Sequence, residues 1–219
     1  MSDAESDKRA AAEAAAALVE DGMRVGLGTG STVAYLLPAL AERSLELRCV
    51  ATSVATEEAA RKAGLTVEAF DFDGGLDRLD IAIDGADQIN PAGWLVKGGG
   101  GAHTREKIVA AAAGRFVVIA SGEKVVDALA PPVPLELQSF GVPATLRALE
   151  PVELRESTDP SPDGGLIADY RGAVDDPREL AAWLSAVPGV VDHGLFAPDL
   201  VADLLIARAG DIEHRRPGA

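Results

Sequence analysis

The stretch Lys97 to Lys107, KGGGGAHTREK, gathers residue types that can handle an anion. Four consecutive glycines, Gly98 to Gly101, follow a lysine and lead into a segment with helical character. Glycine permits positive φ and lets backbone N–H groups approach a ligand closely. The start of the helix behind it offers N–H groups without intrahelical partners and the positive end of a dipole. Glu106 falls inside that first turn. A cation, a nest of amides and a base in one short segment suit an anionic intermediate. A flexible turn before a surface helix is the simpler reading of the glycines alone. The charges at both ends favour chemistry.

Other segments must position these residues, and composition limits what they can be. The 219-residue chain is long enough for a sizeable core, as one large domain or one domain with a smaller companion. It is 47% hydrophobic but only 4% aromatic, so the core is built of Ala, Val, Leu and Ile, which suits buried parallel strands. No apolar run could span a bilayer. The N-terminus lacks a charged start followed by an apolar signal core, which reads as a cytoplasmic protein. The single cysteine, Cys49, excludes an intrachain disulfide and a cysteine-based zinc cage. A formal net charge of −15 opposes non-specific binding to nucleic acid or an anionic membrane. It also means that any phosphate substrate must be held by local cations. Lysine is scarce: Lys8, Lys62, Lys97, Lys107 and Lys124 stand against fifteen arginines. Acidic, lysine-poor composition resembles that of proteins from salt-adapted organisms.

In chain order, an alanine-rich helix over 7–20 precedes a strand, Met23 to Leu27. Gly28-Thr29-Gly30-Ser31-Thr32 then leads into a helix, VAYLLPALAER. Strand, small-residue loop and helix place a phosphate or carboxylate at a helix N-terminus. The spacing is neither G-x-G-x-x-G nor a P-loop. Three hydroxyls (Thr29, Ser31, Thr32) exceed the single one that a helix cap needs. A strand over Leu45 to Val50 ends at Thr52-Ser53, before a helix over 56–63 and a strand over Leu65 to Ala69. The strand Asp80 to Ile83 runs into Asp84-Gly85-Ala86-Asp87-Gln88-Ile89-Asn90. Paired carboxylates at the C-terminal edge of an open α/β sheet stand where ligands bind, and can hold a cation, accept sugar hydroxyls or move protons. A turn accounts for Gly85 and Asn90-Pro91 but not for both aspartates. Trp94 to Val96 leads to the glycine run, a helix spans Thr104 to Ala113, and the strand Arg115 to Ala120 ends at Ser121-Gly122-Glu123-Lys124. Alternating β and α elements predict a Rossmann-like, mostly parallel sheet with helices on both faces.

After Ala130-Pro131-Pro132 the pattern becomes strand 133–140, helix 143–149, strand 152–156, a turn from Asp159 to Gly165, strand 166–170, helix 177–187 and strand 190–196. This β-α-β-β-α-β order predicts an inserted, smaller ferredoxin-like α+β domain over 131–198. The Rossmann-like domain then comprises 1–130 and 199–219, with Val201 to Ala207 returning to its sheet and a loose tail from Asp211.

Together, the loops VGLGTGST, ATS, DGADQIN, KGGGGAHTREKIVAA and the lysine of SGEK resemble ribose-5-phosphate isomerase of the A type, in the family's order and spacing. DPRELAAWLSAVPGVVDHGLFA resembles the family's distal region, and the resemblance is weakest between about 135 and 165. It implies that Glu106 is the general base and Lys97 an active-site cation, and that Asp84 and Asp87 contact substrate. Gly85 and Ala86 between the aspartates, Gly30 with the hydroxyls Thr29, Ser31 and Thr32, and the amides of Gly98, Gly99 and Gly100 complete the implied substrate contacts. Lys124 and Lys8 are implied to reach the phosphate. Ser121 stands where the family often has an aspartate. His103 stands where an apolar residue is usual, and reads as a helix-start or surface position.

The implied reaction interconverts D-ribose 5-phosphate and D-ribulose 5-phosphate, in the non-oxidative pentose phosphate pathway. Glu106 would move a proton between C2 and C1 through a cis-enediolate, and burial is expected to raise its pKa towards neutrality. Lys97 and the amides of Gly98 to Gly101 would stabilise the oxyanion. Asp84 and Asp87 would handle hydroxyl protons and ring opening. No metal or organic cofactor is implied, and the family forms homodimers and homotetramers. A sugar-phosphate sensor domain and an acyl-CoA transferase relative are the alternatives. The first usually carries a helix-turn-helix, which is not visible here, and the second uses its glutamate as a nucleophile. The acidic composition makes a separate prediction: thermal stability should rise steeply with potassium chloride concentration, and a salt-independent midpoint would remove the salt-adapted reading.

Overall fold

The computed structural model describes residues 3–71, 74–155 and 160–217. The end of the expected strand 152–156 and the start of the expected turn at 159 lie outside the described residues. The first elements are α1 (Asp3–Ala16), β1 (Arg24–Leu27), α2 (Val33–Ala41), β2 (Arg48–Ala51) and α3 (Val54–Lys62). Next come β3 (Ile81–Gly85), β4 (Gln88–Ile89), β5 (Leu95–Val96), α4 (His103–Ala112) and β6 (Phe116–Ser121). Then follow β7 (Val133–Leu137), α5 (Val142–Leu149), β8 (Val152–Leu154), β9 (Leu166–Tyr170), α6 (Pro177–Ala186) and β10 (Val190–His193). The last are β11 (Leu195–Phe196), β12 (Asp203–Arg208) and β13 (Asp211–Arg215). No helix among the described residues is long and apolar enough to cross a membrane.

The chain forms two units. One comprises the residues up to Ala86, Glu106–Lys124 and those from Asp199 on; the other comprises Asp87–Arg105 and Val125–Pro198. The first unit is built on a six-stranded sheet of order β13-β12-β6-β3-β1-β2, parallel except for β13. Its inner strands are buried on both faces, as aliphatic parallel strands must be. Val25, Leu27, Ile81 and Ile83 pack on one face with α1 and α2. Four alanines of α1 (Ala11, Ala12, Ala15 and Ala16) make that contact, so small side chains let the helix lie close to its neighbours. On the opposite face Gly26 meets Val109 of α4: a Cβ on Gly26 would lie 2.5 Å from the Val109 Cγ1 atom. The missing side chain lets α4, which carries Glu106, approach the sheet.

The second unit holds a four-stranded antiparallel sheet of order β10-β7-β9-β8, the split β-α-β order predicted for it, and a three-stranded antiparallel sheet of order β11-β5-β4. Leu135, Leu137, Leu149, Ala168 and Leu184 are among the side chains of its core.

Three expectations are corrected. Leu65 to Ala69 is not a strand; Val67 makes a single parallel bridge with Cys49, beside the sheet edge. The expected strand 190–196 is two strands in different sheets, broken at Gly194. The tail from Asp211 is not loose as far as Arg215, because β13 pairs antiparallel with β12. Positive φ at Ala209 and Gly210 makes the tight hairpin turn between them, and β13 is polar because it is an exposed edge.

An ion pair ties the first residue of β1, Arg24, to Asp80, the residue just before β3. Arg24 donates its backbone N–H (2.8 Å) and its Nε–H (3.0 Å) to Asp80 Oδ2. The Arg24 side chain, and then its backbone N–H, hold the Asp80 carboxyl at about 2, below its ordinary 3.8. A depressed carboxylate stabilises the fold above its unfolded pKa, and that contribution is lost as pH falls through the folded value. Asp80→Asn should therefore lower the urea midpoint at neutral pH, and the gap to the parent should close as pH falls from 3.8 towards 2. A gap that persists unchanged at pH 2 would contradict this.

Candidate active site

Four parallel strands of the first unit end along one sheet edge, and those predicted loops that belong to this unit follow them. The loop 28–32 follows β1, Thr52 and Ser53 follow β2, Asp84 and Gly85 end β3, and Gly122–Lys124 follows β6 as a 3₁₀ turn. Asp84 is therefore the penultimate residue of its strand, not a residue beyond it. It is only 3% exposed. Its Oδ1 accepts the N–H of Thr29 at 3.1 Å and of Gly85 at 2.7 Å. Gly28 is required by this carboxylate, since a Cβ there would lie 2.0 Å from its Cγ and Oδ1 atoms.

The three hydroxyls of the first loop separate into different environments. The Thr29 hydroxyl belongs to an internal cluster, 2.8 Å from Thr52 Oγ1 and donating to Ser53 Oγ at 2.8 Å. Thr56 closes that cluster by donating to the Gly28 carbonyl at 2.9 Å. Ser31 is exposed, Thr32 is buried, and Thr32 precedes α2 without a side-chain cap. Gly30 lies between them with φ of +124°, a conformation that favours glycine. Lys124 is half-buried, with its Nζ 4.0 Å from Glu123. Lys8 lies half-buried on α1. Glu106 lies in the first turn of α4 and is 5% exposed. Cys49 takes no part: burial pushes its thiol up to about 12, so it stays protonated.

In the second unit, β4 and β5 form a hairpin whose turn is closed by Asn90, and Val96 delivers the chain to Lys97. Lys97 is 3% exposed, with its Nζ 5.5 Å from the centre of the Phe196 ring. Its backbone N–H donates to the Gly194 carbonyl at 2.8 Å. A Cβ on Gly194 would lie 2.1 Å from the Lys97 carbonyl oxygen, so glycine at the strand break lets this backbone pass.

The glycine run is fixed from two sides. Asp87 Oδ2 accepts the Gly99 N–H at 2.9 Å, and the Gly101 N–H donates to the Gly98 carbonyl at 3.0 Å. Two of the four expected amide donors are thus committed within the loop. The N–H groups of Gly98 and Gly100 are the two without a partner among the described residues. Gly98 and Gly101 adopt positive φ, +103° and +74°. His103 is not a surface residue: it is buried at the first position of α4, and a Cβ on Gly98 would lie 2.7 Å from its Nδ1 atom.

Sequence reasoning missed Arg155. Its Nη1 donates to the carbonyls of Gly98 (3.2 Å) and Gly99 (3.0 Å), while Nε and Nη2 form a bidentate pair with Asp169 at 2.9 and 2.6 Å. It lies where the family resemblance is weakest, and a lone arginine after a short strand carries no motif. Asp163 was missed for the same reason, although it binds Arg105 through Nε at 2.8 Å.

Solved structures of high similarity set the class. A ribose 5-phosphate isomerase A from Neisseria gonorrhoeae superposes with a TM-score of 0.91 at 31% identity, covering 99% of this chain and 98% of its own. A D-ribose-5-phosphate isomerase in complex with phospho-erythronic acid gives a TM-score of 0.89 at 31% identity, covering 98% of this chain and 100% of its own. The fold and the ordered loops are those of an aldose–ketose isomerase. The family profile of Ribose 5-phosphate isomerase A (phosphoriboisomerase A) matches residues 48–211. Ribose-5-phosphate isomerase A of Methylorubrum extorquens is 45% identical over 93% of both chains, and that of Halobacterium salinarum is 45% identical over 88% of both. The chain belongs to the ribose 5-phosphate isomerase A family.

The packing of Gly28 on Asp84 yields a test. Gly28→Ala must move the carboxylate or the strand end, and overpacking of this kind costs about 1–3 kcal/mol. The urea midpoint of the variant should fall accordingly; an unchanged midpoint with unchanged turnover would contradict the contact.

Proposed function

We propose that the chain catalyses interconversion of D-ribose 5-phosphate and D-ribulose 5-phosphate by proton transfer through a cis-enediolate, with Glu106 as the general base. The observation that carries this reading is the environment of the Lys97–Glu106 stretch. A nearly buried lysine leads into four glycines fixed in one conformation, and a nearly buried carboxylate follows in the first turn of the next helix. Desolvation suits a carboxylate that must remove a proton bound to carbon, because water no longer competes for its charge.

Each step then has a group of the right chemistry. Glu106 takes the C2 proton of the open-chain aldose and returns it at C1. Charge that develops on the oxygens of the enediolate is met by Lys97 and by the N–H groups of Gly98 and Gly100. One preorganised donor of this kind typically lowers the barrier by about 3–4 kcal/mol. Asp84 and Asp87 accept hydroxyl protons, and assist ring opening. Ser31, Thr32, Lys124 and Lys8 take the phosphate, with Thr29 and Gly30 shaping the loop and Gly85 and Ala86 lining the sugar. The hydroxyl cluster at Thr29 supports that division, since Ser31 rather than Thr29 presents an exposed hydroxyl. The reaction uses no metal or organic cofactor, and belongs to the non-oxidative pentose phosphate pathway of a cytoplasmic protein. The working assembly is a homodimer or homotetramer.

The reading is tested by following ribulose 5-phosphate formation from ribose 5-phosphate without added metal or cofactor. Glu106→Gln should retain the parent's circular dichroism spectrum and lose nearly all turnover. Substantial remaining activity in a folded variant would remove Glu106 as the base.

A further inference from the structure

We infer that Arg155, held by Asp169, is a positioning residue that aims the amides of the glycine run. The catalytic consequence rests on the proposed isomerase reading; the geometry lies within the second unit alone. The cis peptide bonds of the described residues are Pro131-Pro132 and Glu150-Pro151, so the peptides joining Gly98, Gly99 and Gly100 are trans. In a planar trans peptide the C=O and N–H point in opposite directions. The carbonyls of Gly98 and Gly99 both accept from Nη1 of Arg155, at 3.2 and 3.0 Å. The N–H groups of Gly99 and Gly100 therefore both point away from the guanidinium. The first of them demonstrates the direction, because the Gly99 N–H lands on the Asp87 carboxylate at 2.9 Å. Two successive N–H groups on one side make an anion-binding concavity, and the Gly100 N–H is the member not taken by Asp87.

Asp169 makes this arrangement rigid. It is buried on β9, and its two oxygens hold the Arg155 fork through Nε and Nη2, which leaves Nη1 for the carbonyls. A planar fork can bind a carboxylate on one side and two carbonyls on another; an ammonium on a flexible stem cannot fill both roles. Glycine, with the most conformational freedom to lose, is the residue whose peptide planes most need such a restraint.

The test compares Arg155→Met, Arg155→Lys and Asp169→Asn with the parent. Steady-state kinetics on ribose 5-phosphate are normalised to folded protein, and amide hydrogen exchange is followed at Gly99 and Gly101, whose N–H groups are hydrogen-bonded. The kcat of Arg155→Met should fall by about tenfold or more, short of the roughly 10²–10³-fold loss that follows outright removal of an oxyanion donor, because the amide is misaimed rather than absent. KM should change much less, because the phosphate contacts are untouched. Arg155→Lys and Asp169→Asn should fall between parent and Arg155→Met, and exchange at both amides should accelerate. A parent-like kcat in folded Arg155→Met, or a rise in KM alone, would overturn the inference. So would unchanged amide exchange. If the parent itself shows no isomerase activity while the exchange still accelerates, the functional reading fails and the clamp stands. If Arg155→Met does not fold, the Lys and Asn variants decide by the same two measurements.

Discussion

The structure depends on holding four glycines in a single conformation. Glycine loses more freedom on folding than any other residue, about 0.5–1 kcal/mol more than alanine. An unrestrained run of four would be a loop. Here Asp87 takes the Gly99 N–H, the Gly101 N–H closes a turn on Gly98, and Arg155 takes the two carbonyls between them. The restraining groups are themselves fixed: Asp87 by its backbone bond to Val96, Arg155 by Asp169. A loop restrained in this way offers donors whose direction is set before any ligand arrives, which is what electrostatic stabilisation of a transient oxyanion needs.

The same logic governs the edge of the central sheet. Asp84 is a carboxyl group at 3% exposure, and two backbone N–H groups meet one of its oxygens, as a buried polar group requires. Glycine at position 28 makes room for it, and glycine at position 26 makes room for α4 on the other face. Small residues thus appear where the backbone must approach the Asp84 carboxylate or the helix that carries Glu106. The composition follows the same pattern: in a chain of net charge −15, three of five lysines stand at proposed site positions. On the proposed reading, lysine is kept where a phosphate or an enediolate requires it.

What could be read in advance was local. β9 was legible to the residue, because a short apolar run sits between a turn and a glycine. The hydroxyl loop, the aspartate pair and the glycine run stood out as candidates, because residue type and short spacing carry that signal. The misses share a cause in long-range packing. Leu65 to Ala69 has strand composition, but its pairing with β2 is a single bridge around Cys49 and goes no further. Val190 to Phe196 looks continuous, yet Gly194 must pass the Lys97 backbone, nearly one hundred residues earlier. The polar segment Asp211–Arg215 pairs because a hairpin turn precedes it, not because its side chains favour a strand. Arg155 reaches Gly98 across 57 positions, and no periodicity encodes such a contact. His103 was legible as a helix start, but not its burial, which follows from the close approach of Gly98.

The central claim is that the segment from Lys97 to Glu106 supports transfer of a proton, rather than of a hydride, between adjacent carbons. Running the isomerisation in heavy water and examining C1 of the ribulose 5-phosphate by NMR tests this most directly. A carboxylate base that exchanges its proton with solvent while the enediolate persists predicts deuterium at C1 of the product, and at C2 of substrate recovered from the equilibrated mixture. Complete retention of the original hydrogen, with no deuterium in either sugar after many turnovers, would contradict it.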